Sequence, residues 1–447
     1  MRLNPEIAGH PAASHDVYRF SPKTPPDLAA LVPALGLVPG VDSFVLLDGD
    51  GWGTRVLAFG PELSLTVENA SPFDALRQVL VREGSTGLDH PLQGGPALFG
   101  YLSYDAARYL ERLPVTAEDD LRFPAARFIM LRYTVGVGPD GEAWASVPAG
   151  ESADYFVRTL REAPPLSGAM PDGTLRVANS TLRREEYARA VERVKEYVRA
   201  GDVFQVNISQ RFEVPFEGDP ISLYGALRRR NPSPFGGMVS FPGFVAVSSS
   251  PERLIDLRKR RASTRPIAGT YPREDGSGAA LLLDPKERAE HAMIVDLERN
   301  DLGRSAAYGT VRVKELMATE AYSHVVHIVS EVVSELADGR DAVDLLAGMF
   351  PGGTITGCPK VRCMEIIEEL EQVRRGLYTG SFGYLGLSGT AMDMNIVIRT
   401  ILLKDGVAYA QAGGGIVADS LPAREYQESV NKAPALLEAL GAKTPGA

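Results

Sequence analysis

The sequence predicts an α+β fold in which large antiparallel sheets pack in a sandwich with flanking helices. Residues 203–214, VFQVNISQRFEV, alternate between apolar and polar side chains as a half-buried strand does. The segment before them predicts a helix that ends at Gly201, because four apolar residues share one face: Tyr187, Val191, Val194 and Val198. Strands and helices both recur, but without the regular strand–helix alternation of a doubly wound sheet.

The composition is that of a globular protein of 447 residues, with 44% apolar and 23% charged side chains. The net charge of −10 argues against a general nucleic-acid binder or a protein that binds anionic membranes. Two cysteines, Cys358 and Cys363, cannot form a disulfide framework, which favours a reducing compartment. Because no apolar run reaches membrane-spanning length and the first residues lack the apolar core of a signal peptide, we expect a cytoplasmic protein.

A segment rich in proline and glycine, residues 163–174, predicts a linker between two regions. The region before it, residues 1–165, contains short strand-like runs such as FVLLDG and ARFIMLRYTVGVG. The region after it, residues 175–447, contains the acidic and glycine-rich motifs.

Two acidic pairs lie on predicted helices. The segment DPKERAEHAMIVDLERNDLGR predicts a helix that begins after Asp284, an expected N-cap, with Pro285 at the first position. Glu287 and Glu290 are three residues apart and project from one face of this helix.

A second acidic pair, Glu425 and Glu428, has the same spacing near the C-terminus. Two such pairs that face each other would form an oxygen-rich site for Mg²⁺. This cation usually takes one or two carboxylates and completes its shell with water and substrate oxygens. The alternative is a set of solvated helix faces with ion pairs such as that of Glu428 with Lys432.

Three segments combine glycine with features that bind anions. RPIAGTYPR, residues 265–273, predicts a tight turn with exposed backbone N–H groups, although an ordinary surface turn has the same pattern. In QAGGGIVADS, residues 413–415 permit close backbone approach and an N–H nest, with a simple turn between strands as the alternative. PGGTITGCPK leads into a helix whose N-terminus suits an anion. It is not a Walker A motif, because Val361 stands where serine or threonine is required.

MDMNIVIRTILL predicts a buried strand that carries one arginine, Arg399. A buried guanidinium is costly unless it is paired, so it either binds a substrate carboxylate or forms an internal salt bridge. EAYSHVVHIVSEV places His324 and His327 on an apolar strand, where a histidine is more often part of the core than a catalyst. No nucleophilic serine or cysteine motif accompanies them, so triad chemistry is not expected.

In their order, the segments from about Thr181 to the C-terminus resemble the catalytic subunit of the chorismate-utilising enzymes. That family includes anthranilate synthase component I and aminodeoxychorismate synthase component I. The resemblance is carried by the motifs above together with GDVFQVNISQRF, SSSPERL and EYQESVNKA. It implies an anthranilate synthase component I-like fold in which residues 175–447 are the chorismate-binding catalytic region. Residues 1–165 match loosely and would contribute strands and vestigial elements of a tryptophan site.

By this resemblance, four glutamates would form a metal site. Glu290 and Glu428 would hold Mg²⁺, which binds the ring carboxylate of chorismate. Glu287 and Glu425 would support the metal and its waters. Glu252 would act as general acid on the C4 hydroxyl. These residue types suit chorismate, a dianion with a poor leaving group that needs charge neutralisation, a metal Lewis acid and a proton donor.

The resemblance also implies a set of substrate-binding positions. These are Gly269, Thr270, Tyr378, Arg399, Gly413, Gly414, Gly415, Lys432, Gln205 and Thr356. Within this set, Arg399 would take the carboxylate of the enolpyruvyl arm together with Tyr378 and the backbone of the three consecutive glycines. His327 would act near the departing group.

Several positions bear on which chorismate reaction takes place. By this resemblance, Gln205 stands where the family members that add water have a lysine that acts as a base. A neutral glutamine does not activate water in this way, so ammonia is the expected nucleophile. Ala268 stands where many aminodeoxychorismate synthases carry a nucleophilic lysine, and alanine there resembles the anthranilate synthases. Against that, Gly49 replaces the serine of the tryptophan-binding motif, and FQVNISQ and TGSFGYL resemble the aminodeoxychorismate branch.

The sequence therefore predicts Mg²⁺-dependent amination of chorismate with ammonia to 4-amino-4-deoxychorismate, for 4-aminobenzoate and folate synthesis. One alternative is an anthranilate synthase component I, which forms anthranilate and pyruvate for tryptophan synthesis. Another is a non-catalytic chorismate or tryptophan sensor. Because the chain shows no glutaminase motif, we expect a glutamine amidotransferase subunit as its ammonia source. We expect neither nucleic acid nor membrane among its partners.

Overall fold

The alternating segments of the chain form antiparallel strands that join into one curled sheet. The computed structural model describes residues 6–9, 15–22, 24–84, 94–166, 175–177, 179–274, 277–321 and 325–443. Within these ranges, 21 strands belong to the large sheet, and two short parallel strands pair separately. The predicted α+β class with large antiparallel pairing is confirmed, and the strands form one continuous sheet.

The described ranges contain 23 strands and eleven α-helices. The strands are β1 (Glu6–Gly9), β2 (His15–Phe20), β3 (Phe44–Leu47), β4 (Arg55–Val67), β5 (Ala97–Leu102), β6 (Ala126–Val137), β7 (Ala143–Pro148), β8 (Leu175–Arg176), β9 (Asn179–Ser180), β10 (Gln205–Pro215), β11 (Phe235–Phe241), β12 (Phe244–Ser250), β13 (Arg253–Arg258), β14 (Arg261–Thr264), β15 (Ile267–Pro272), β16 (Arg312–Ala321), β17 (Val325–Glu335), β18 (Gly357–Cys358), β19 (Ser381–Gly386), β20 (Ala391–Asn395), β21 (Thr400–Lys404), β22 (Val407–Ile416) and β23 (Ala442–Lys443). The helices are α1 (Leu28–Ala34), α2 (Pro72–Glu83), α3 (Asp154–Glu162), α4 (Arg184–Ala200), α5 (Pro220–Arg230), α6 (Ser277–Leu283), α7 (Pro285–Gly303), α8 (Ala342–Met349), α9 (Lys360–Leu370), α10 (Pro422–Asn431) and α11 (Pro434–Ala439). A short 3₁₀ turn, Gly353–Ile355, lies between α8 and β18.

Strands of the predicted N-terminal region belong to the same sheet as those of the predicted catalytic region. Strand β3 pairs with β11, and β5 pairs with β19 along its whole length. Most of the predicted linker, residues 167–174, lies outside the described ranges. The division into regions 1–165 and 175–447 therefore stays a prediction.

Apolar burial fixes strand β10, which carries several predicted site residues. Helix α4 ends at Gly201, whose φ of +81° is the left-handed conformation that stops a helix. The inner face of α4 packs on Val206 and Ile208 of β10. Full burial of each such aliphatic side chain contributes about 1.5–3 kcal/mol. The helix and the strand lie where the periodicity predicts them, but the half-buried character expected of β10 is wrong, because β10 is buried on both faces.

Helix α7 begins as predicted. The Asp284 carboxylate accepts hydrogen bonds from the backbone N–H groups of Lys286 and Glu287, and Pro285 occupies the first position. These bonds satisfy donors that a helix start otherwise leaves unpaired. In the part of the chain that the structure describes, no helix has the length and apolar character to cross a bilayer.

The tight turn predicted for RPIAGTYPR is wrong. Residues 267–272 form strand β15, which pairs with β17 and has an irregular register between Ala268 and Tyr271. Gly269 has a φ of +65°, which the irregularity requires and which glycine adopts without strain. The distant partner strand overrides the local turn preference of proline and glycine.

The N–H nest predicted for the glycine run is also wrong, and so is the alternative of a turn. Residues 413–415 lie within β22 and pair in regular antiparallel register with residues 207–209 of β10. The predicted close approach is confirmed, because a Cβ atom at Gly413 would lie 2.3 Å from the carbonyl oxygen of Ile208. A side chain at Gly413 would therefore collide with the backbone of β10.

A buried ion pair ties β10 to the segment that follows α9. The side chains of Glu371 and Arg375 are 4% and 1% exposed, with Arg375 Nη2 at 2.7 Å from Glu371 Oε1. The same carboxylate oxygen accepts hydrogen bonds from the backbone N–H and the hydroxyl of Ser209, both at 2.9 Å. The guanidinium also donates to the carbonyl oxygens of Asn207 and Ile355. The pair thus holds three separate segments.

Replacement of Arg375 with alanine is expected to lower the free energy of unfolding by about 3–5 kcal/mol, because the buried Glu371 carboxylate loses its cation. Arg299→Ala is the matched control, since Arg299 forms a pair with Asp296 in which the side chains are 48% and 76% exposed. The control should cost less than about 1 kcal/mol. Urea denaturation measures both changes. Equal losses for the two variants would show that the Arg375 pair does not support the fold.

Candidate active site

Four glutamates from two helices surround glycines of β15 and β22. They are Glu287 and Glu290 on α7 and Glu425 and Glu428 on α10. A Cβ atom at Gly414 would lie 3.7 Å from Glu428 Oε1 and 3.9 Å from Glu425 Oε2. A Cβ atom at Gly269 would lie 3.0 Å from Glu287 Oε2. The absence of side chains at these two positions lets the carboxylates approach the sheet.

The carboxylates of the two helices repel one another. Burial is the main cause that raises the pKa of Glu287, and the charges of Glu290 and Glu428 raise it further. Burial likewise raises the pKa of Glu425, with the charge of Glu428 as an additional cause. The charge of Glu428 therefore acts on both helices, and a bound cation would relieve the repulsion.

The donor set fits a hard cation that keeps part of its water shell. Among the described residues, no group of three or more His, Cys, Asp or Glu side chains is placed to hold a metal unaided. Mg²⁺ does not need such a group, since one or two carboxylates suffice when water and substrate oxygens complete the shell. The ion pair considered as the alternative is also present, with Lys432 Nζ at 2.9 Å from Glu428 Oε1. Lys432 also donates to the carbonyl oxygen of Gly413 at 3.2 Å.

Gln205 places a neutral amide beside the acidic cluster. Its side chain is 5% exposed, and its Nε2 donates to Glu290 Oε1 at 3.1 Å. A Cβ atom at Gly415 would lie 1.8 Å from that nitrogen, so a side chain there would displace the Gln205 amide. Within the described residues, Gln205 Oε1 is buried and has no hydrogen-bond partner. This acceptor is available to a ligand with N–H or O–H groups.

Glu252 and Arg399 form a second charged part of the site. Glu252 lies between β12 and β13 and is 6% exposed. Burial raises the pKa of its carboxyl group to about 7, against the opposing effects of the Thr354 hydroxyl and the Arg399 charge. Burial lowers the pKa of Arg399, while the charge of Glu252 raises it. A carboxyl group with a pKa near neutrality can donate a proton at physiological pH.

The prediction that Arg399 lies within a strand is wrong. The segment MDMNIVIRTILL forms β20 and β21, and residues 396–399 connect them. Arg399 has a φ of +49°, which a regular strand does not permit. The backbone N–H of Ile396 donates to the carbonyl oxygen of Glu252, and that of Ser249 donates to the carbonyl oxygen of Arg399. These bonds to a distant segment override the local strand preference and bring Arg399 close to Glu252.

His327 lies on β17 beside the irregular part of β15. Its Nδ1 is 2.8 Å from the carbonyl oxygen of Gly269, so this nitrogen carries the proton. Burial lowers the pKa of His327, and the charge of Arg399 acts in the same direction. The imidazole is therefore neutral at pH 7. The neighbouring Ala268 is 9% exposed and stands opposite Ile328 in the strand pair.

The remaining predicted residues are distributed around these groups. The guanidinium carbon of Arg375 is 5.7 Å from the ring centre of Tyr378, and burial raises the pKa of the Tyr378 hydroxyl. Thr356 is fully buried, and its hydroxyl donates to the carbonyl oxygen of Gly352 at 2.9 Å, within the turn that precedes β18. The side chain of Thr270 and the whole of His324 lie outside the described part of the chain.

Comparison with known proteins decides the family. The sequence matches the family described as chorismate binding enzyme over residues 42–438. The chain belongs to this family. It is 46% identical over 370 residues to anthranilate synthase component 1 of Thermus thermophilus, with 78% of each chain covered. It is 44% identical over 379 residues to aminodeoxychorismate synthase component 1 of Bacillus subtilis, with 80% of this chain and 79% of the relative covered.

Solved structures agree with this assignment. Anthranilate synthase component I from Streptococcus pneumoniae superimposes with a TM-score of 0.76 at 32% identity, covering 85% of this chain and 91% of that one. The menaquinone-specific isochorismate synthase from Escherichia coli shares the fold, with a TM-score of 0.74 at 19% identity over 97% of this chain and 96% of that one. The chain is therefore a chorismate-utilising enzyme, as the motifs predicted. Its relatives are divided between anthranilate synthase and aminodeoxychorismate synthase, so they do not decide which reaction this chain catalyses.

Three buried residues of this chorismate-binding enzyme escaped the sequence analysis. Glu371 and Arg375 are four residues apart, a spacing that usually indicates a solvent-exposed helix pair. Glu298 lies in the predicted helix α7 and is 3% exposed. The only available signal was the apolar character of its neighbours in MIVDLERNDL, which does not distinguish a buried acid from an exposed one.

The raised pKa of Glu252 predicts a pH-dependent stability. Because the folded state binds this proton more tightly than the unfolded chain, the stability that it confers is lost as pH rises from about 4.5 through about 7. Glu252→Gln removes this loss. The difference in the free energy of unfolding, variant minus wild type, should be roughly 2–3 kcal/mol larger at pH 8 than at pH 5, so the variant gains stability relative to wild type as pH rises. Denaturant titrations at both pH values test this, and a difference that does not change with pH would contradict it.

Proposed function

We propose that this chorismate-utilising enzyme catalyses Mg²⁺-dependent amination at C4 with ammonia, which forms 4-amino-4-deoxychorismate. The observation that supports amination most directly is the neutral amide of Gln205, which bonds Glu290 at 3.1 Å and keeps a buried acceptor oxygen unused. An amide cannot take a proton from water as an amine base does. Its oxygen can accept an N–H of ammonia and leave the nitrogen lone pair free to attack.

The two charged parts of the site suit the two carboxylates of chorismate. We assign the ring carboxylate to the side of Glu290 and Glu428, where Mg²⁺, when bound, would neutralise and polarise it. We assign the enolpyruvyl carboxylate to Arg399. Among the described residues, the acidic group whose charge acts on this guanidinium is Glu252. Burial disfavours the charged form of Glu252. A substrate carboxylate would therefore complete the pairing of Arg399.

We assign proton donation to Glu252. At neutral pH its buried carboxyl group is partly protonated, so it can protonate the C4 hydroxyl as the C–O bond breaks and water leaves. The neutral His327, with its Nδ1 proton held by Gly269, would lie near the enolpyruvyl group. Ala268 cannot form a covalent adduct, so ammonia must supply the amino group without a lysine-bound intermediate.

Ammonia would come from a second subunit. The relatives described above are named component 1, which implies a partner amidotransferase component. We propose that this chain receives ammonia from a glutamine amidotransferase and also accepts free ammonia.

The choice of C4 over C2 is supported by the surroundings of Gly49. A Cβ atom at Gly49 would lie 2.2 Å from the carbonyl oxygen of Pro234, so a serine cannot stand there without a shift of the backbone. Trp52 is fully buried, donates its indole N–H to Gly236 and packs against Phe235. The chain thus fills this region itself, which disfavours the feedback site expected of a tryptophan-inhibited anthranilate synthase.

Tryptophan at millimolar concentration should therefore leave ammonia-dependent consumption of chorismate unchanged. The measurement is the initial rate with increasing tryptophan, with phenylalanine at the same concentrations as control. Inhibition at micromolar tryptophan would show that an effector site exists and would favour the anthranilate branch.

The second candidate function is that of an anthranilate synthase, which Ala268 favours because a lysine is missing at that position. The product mixture separates the two reactions. The purified chain is incubated with chorismate, ammonium and Mg²⁺, with and without a separate lyase that releases 4-aminobenzoate, and the products are resolved by chromatography. We expect 4-aminobenzoate as the main product, formed only with the lyase, and anthranilate as a side product.

Anthranilate and pyruvate as the main products, formed without the lyase, would overturn the choice of C4. That outcome would leave the assigned carboxylate and proton-donor roles in place. Failure to consume chorismate with ammonium and Mg²⁺ would contradict the amination itself.

A further inference from the structure

Helix α10 carries two of the four site carboxylates and rests on the sheet through a buried serine. Glu425 and Glu428 lie beside Gly414 of β22, which pairs with Ile208 of β10. Ser429 directly follows Glu428 and lies one turn beyond Glu425 on the same side of the helix. Its side chain is fully buried. A displacement of Ser429 along the sheet would therefore carry both carboxylates with it.

A fully buried amide on β10 holds this serine. Gln210 lies on the same face of β10 as Ile208, and its Nε2 donates to Ser429 Oγ at 2.6 Å. The Ser429 hydroxyl donates in turn to the carbonyl oxygen of Tyr426 at 2.7 Å. Gln210 Oε1 accepts from the hydroxyl of Ser180 on β9 at 3.1 Å. The hydrogen bonds thus run in one direction from β9 through β10 to α10, and none of the roles assigned above uses them.

The surroundings of this polar pair are apolar. The ring of Tyr187 on α4 packs edge-on against that of Tyr426, with 5.8 Å between the ring centres, and Val430 packs into the core. An apolar pair of the same shape would hold α10 about as firmly, because a buried hydrogen bond adds little net stability. Apolar contacts are non-directional, however, whereas a hydrogen bond fixes two atoms. A slip of α10 by one residue, a rise of about 1.5 Å with a rotation of about 100°, would break it.

We propose that Gln210 is a positioning residue whose hydrogen bond to Ser429 fixes α10 at the register in which Glu425 and Glu428 lie over Gly414. This inference rests on the proposed metal role of Glu428. Mg²⁺ demands near-ideal octahedral geometry, so it tolerates little displacement of its carboxylate ligands. Loss of the hydrogen bond should therefore weaken Mg²⁺ binding in a protein that remains folded.

The test compares Ser429→Ala with Ser240→Ala as the matched control. Ser240 on β11 is also fully buried, and its hydroxyl accepts from the backbone N–H of Gly40 at 2.9 Å and donates to the carbonyl oxygen of Asp42 at 2.8 Å. Urea denaturation measures stability, and calorimetric titration with Mg²⁺ alone measures affinity. We expect both variants to lose stability, and only Ser429→Ala to lose Mg²⁺ affinity, by about tenfold, the low end for residues that support metal ligands.

A double variant separates positioning from stability. Gln210→Met combined with Ser429→Ala replaces the pair with apolar groups of similar shape and should regain most of the stability lost in Ser429→Ala. We expect its Mg²⁺ affinity to stay low. If the double variant regained wild-type Mg²⁺ affinity together with its stability, the pair would be only structural and the proposal would be wrong. Wild-type Mg²⁺ affinity in a destabilised Ser429→Ala would overturn it as well.

If the wild-type chain does not bind Mg²⁺, the proposed metal role fails, and hydrogen exchange still tests the position of α10. In the double variant, the backbone amides of residues 425–431 should exchange faster than in wild type, while those of α4 exchange at the wild-type rate. Unchanged exchange in α10 would show that the bond between Gln210 and Ser429 does not position the helix.

Discussion

The buried contact between Glu371 and Arg375 is the interaction on which the geometry of the site depends. It joins β10, which carries Gln205, to the 3₁₀ turn Gly353–Ile355 and to the segment that carries Tyr378. The guanidinium donates to the carbonyl oxygens of Asn207 and Ile355, and the carboxylate accepts from the backbone N–H of Ser209. Because the partners are backbone atoms, the pair fixes the relative positions of whole segments and not only of side chains.

Around this ion pair, the site combines glycines, which leave space beside the sheet, with buried charged groups. Gly414 and Gly415 leave room on β22 for the α10 carboxylates and for the amide of Gln205. The same exclusion of water raises the pKa of Glu252 to about 7, which lowers stability at neutral pH and gives the carboxyl group its capacity as an acid. Under the proposed role of Glu252, the burial that lowers stability at neutral pH is what keeps its carboxyl group partly protonated.

Much of the fold and of the site follows from local patterns. The apolar face of α4 and the Asp284 cap of α7 depend only on neighbours within a turn or two, so the sequence predicts them correctly. The conformations of Gly269 and Arg399 could not be predicted in this way. Gly269 follows the register between β15 and β17, and Arg399 is set by bonds to the segment around Glu252.

Buried acids are a further limit of sequence patterns. Glu298 and Asp301 are three residues apart, which is typical of a solvated helix face. Only the folded structure shows that both are buried, Glu298 against the turn Gly353–Ile355 and Asp301 beside Lys360 of α9. The acidic pairs of α7 and α10 could be predicted as two helix faces, whereas their approach to the glycines of β15 and β22 required the fold.

The proposed site is tested most directly by the binding of its two ligands. If Glu290 and Glu428 hold Mg²⁺ against the ring carboxylate, chorismate and Mg²⁺ must strengthen each other's binding by the same factor. Calorimetric titration of each ligand with and without the other, in the absence of ammonia, measures both factors. We expect them to agree and to be on the order of tenfold, and to vanish in Glu428→Gln while the protein stays folded. Chorismate affinity that is the same with and without Mg²⁺ in the wild-type chain would contradict a shared site.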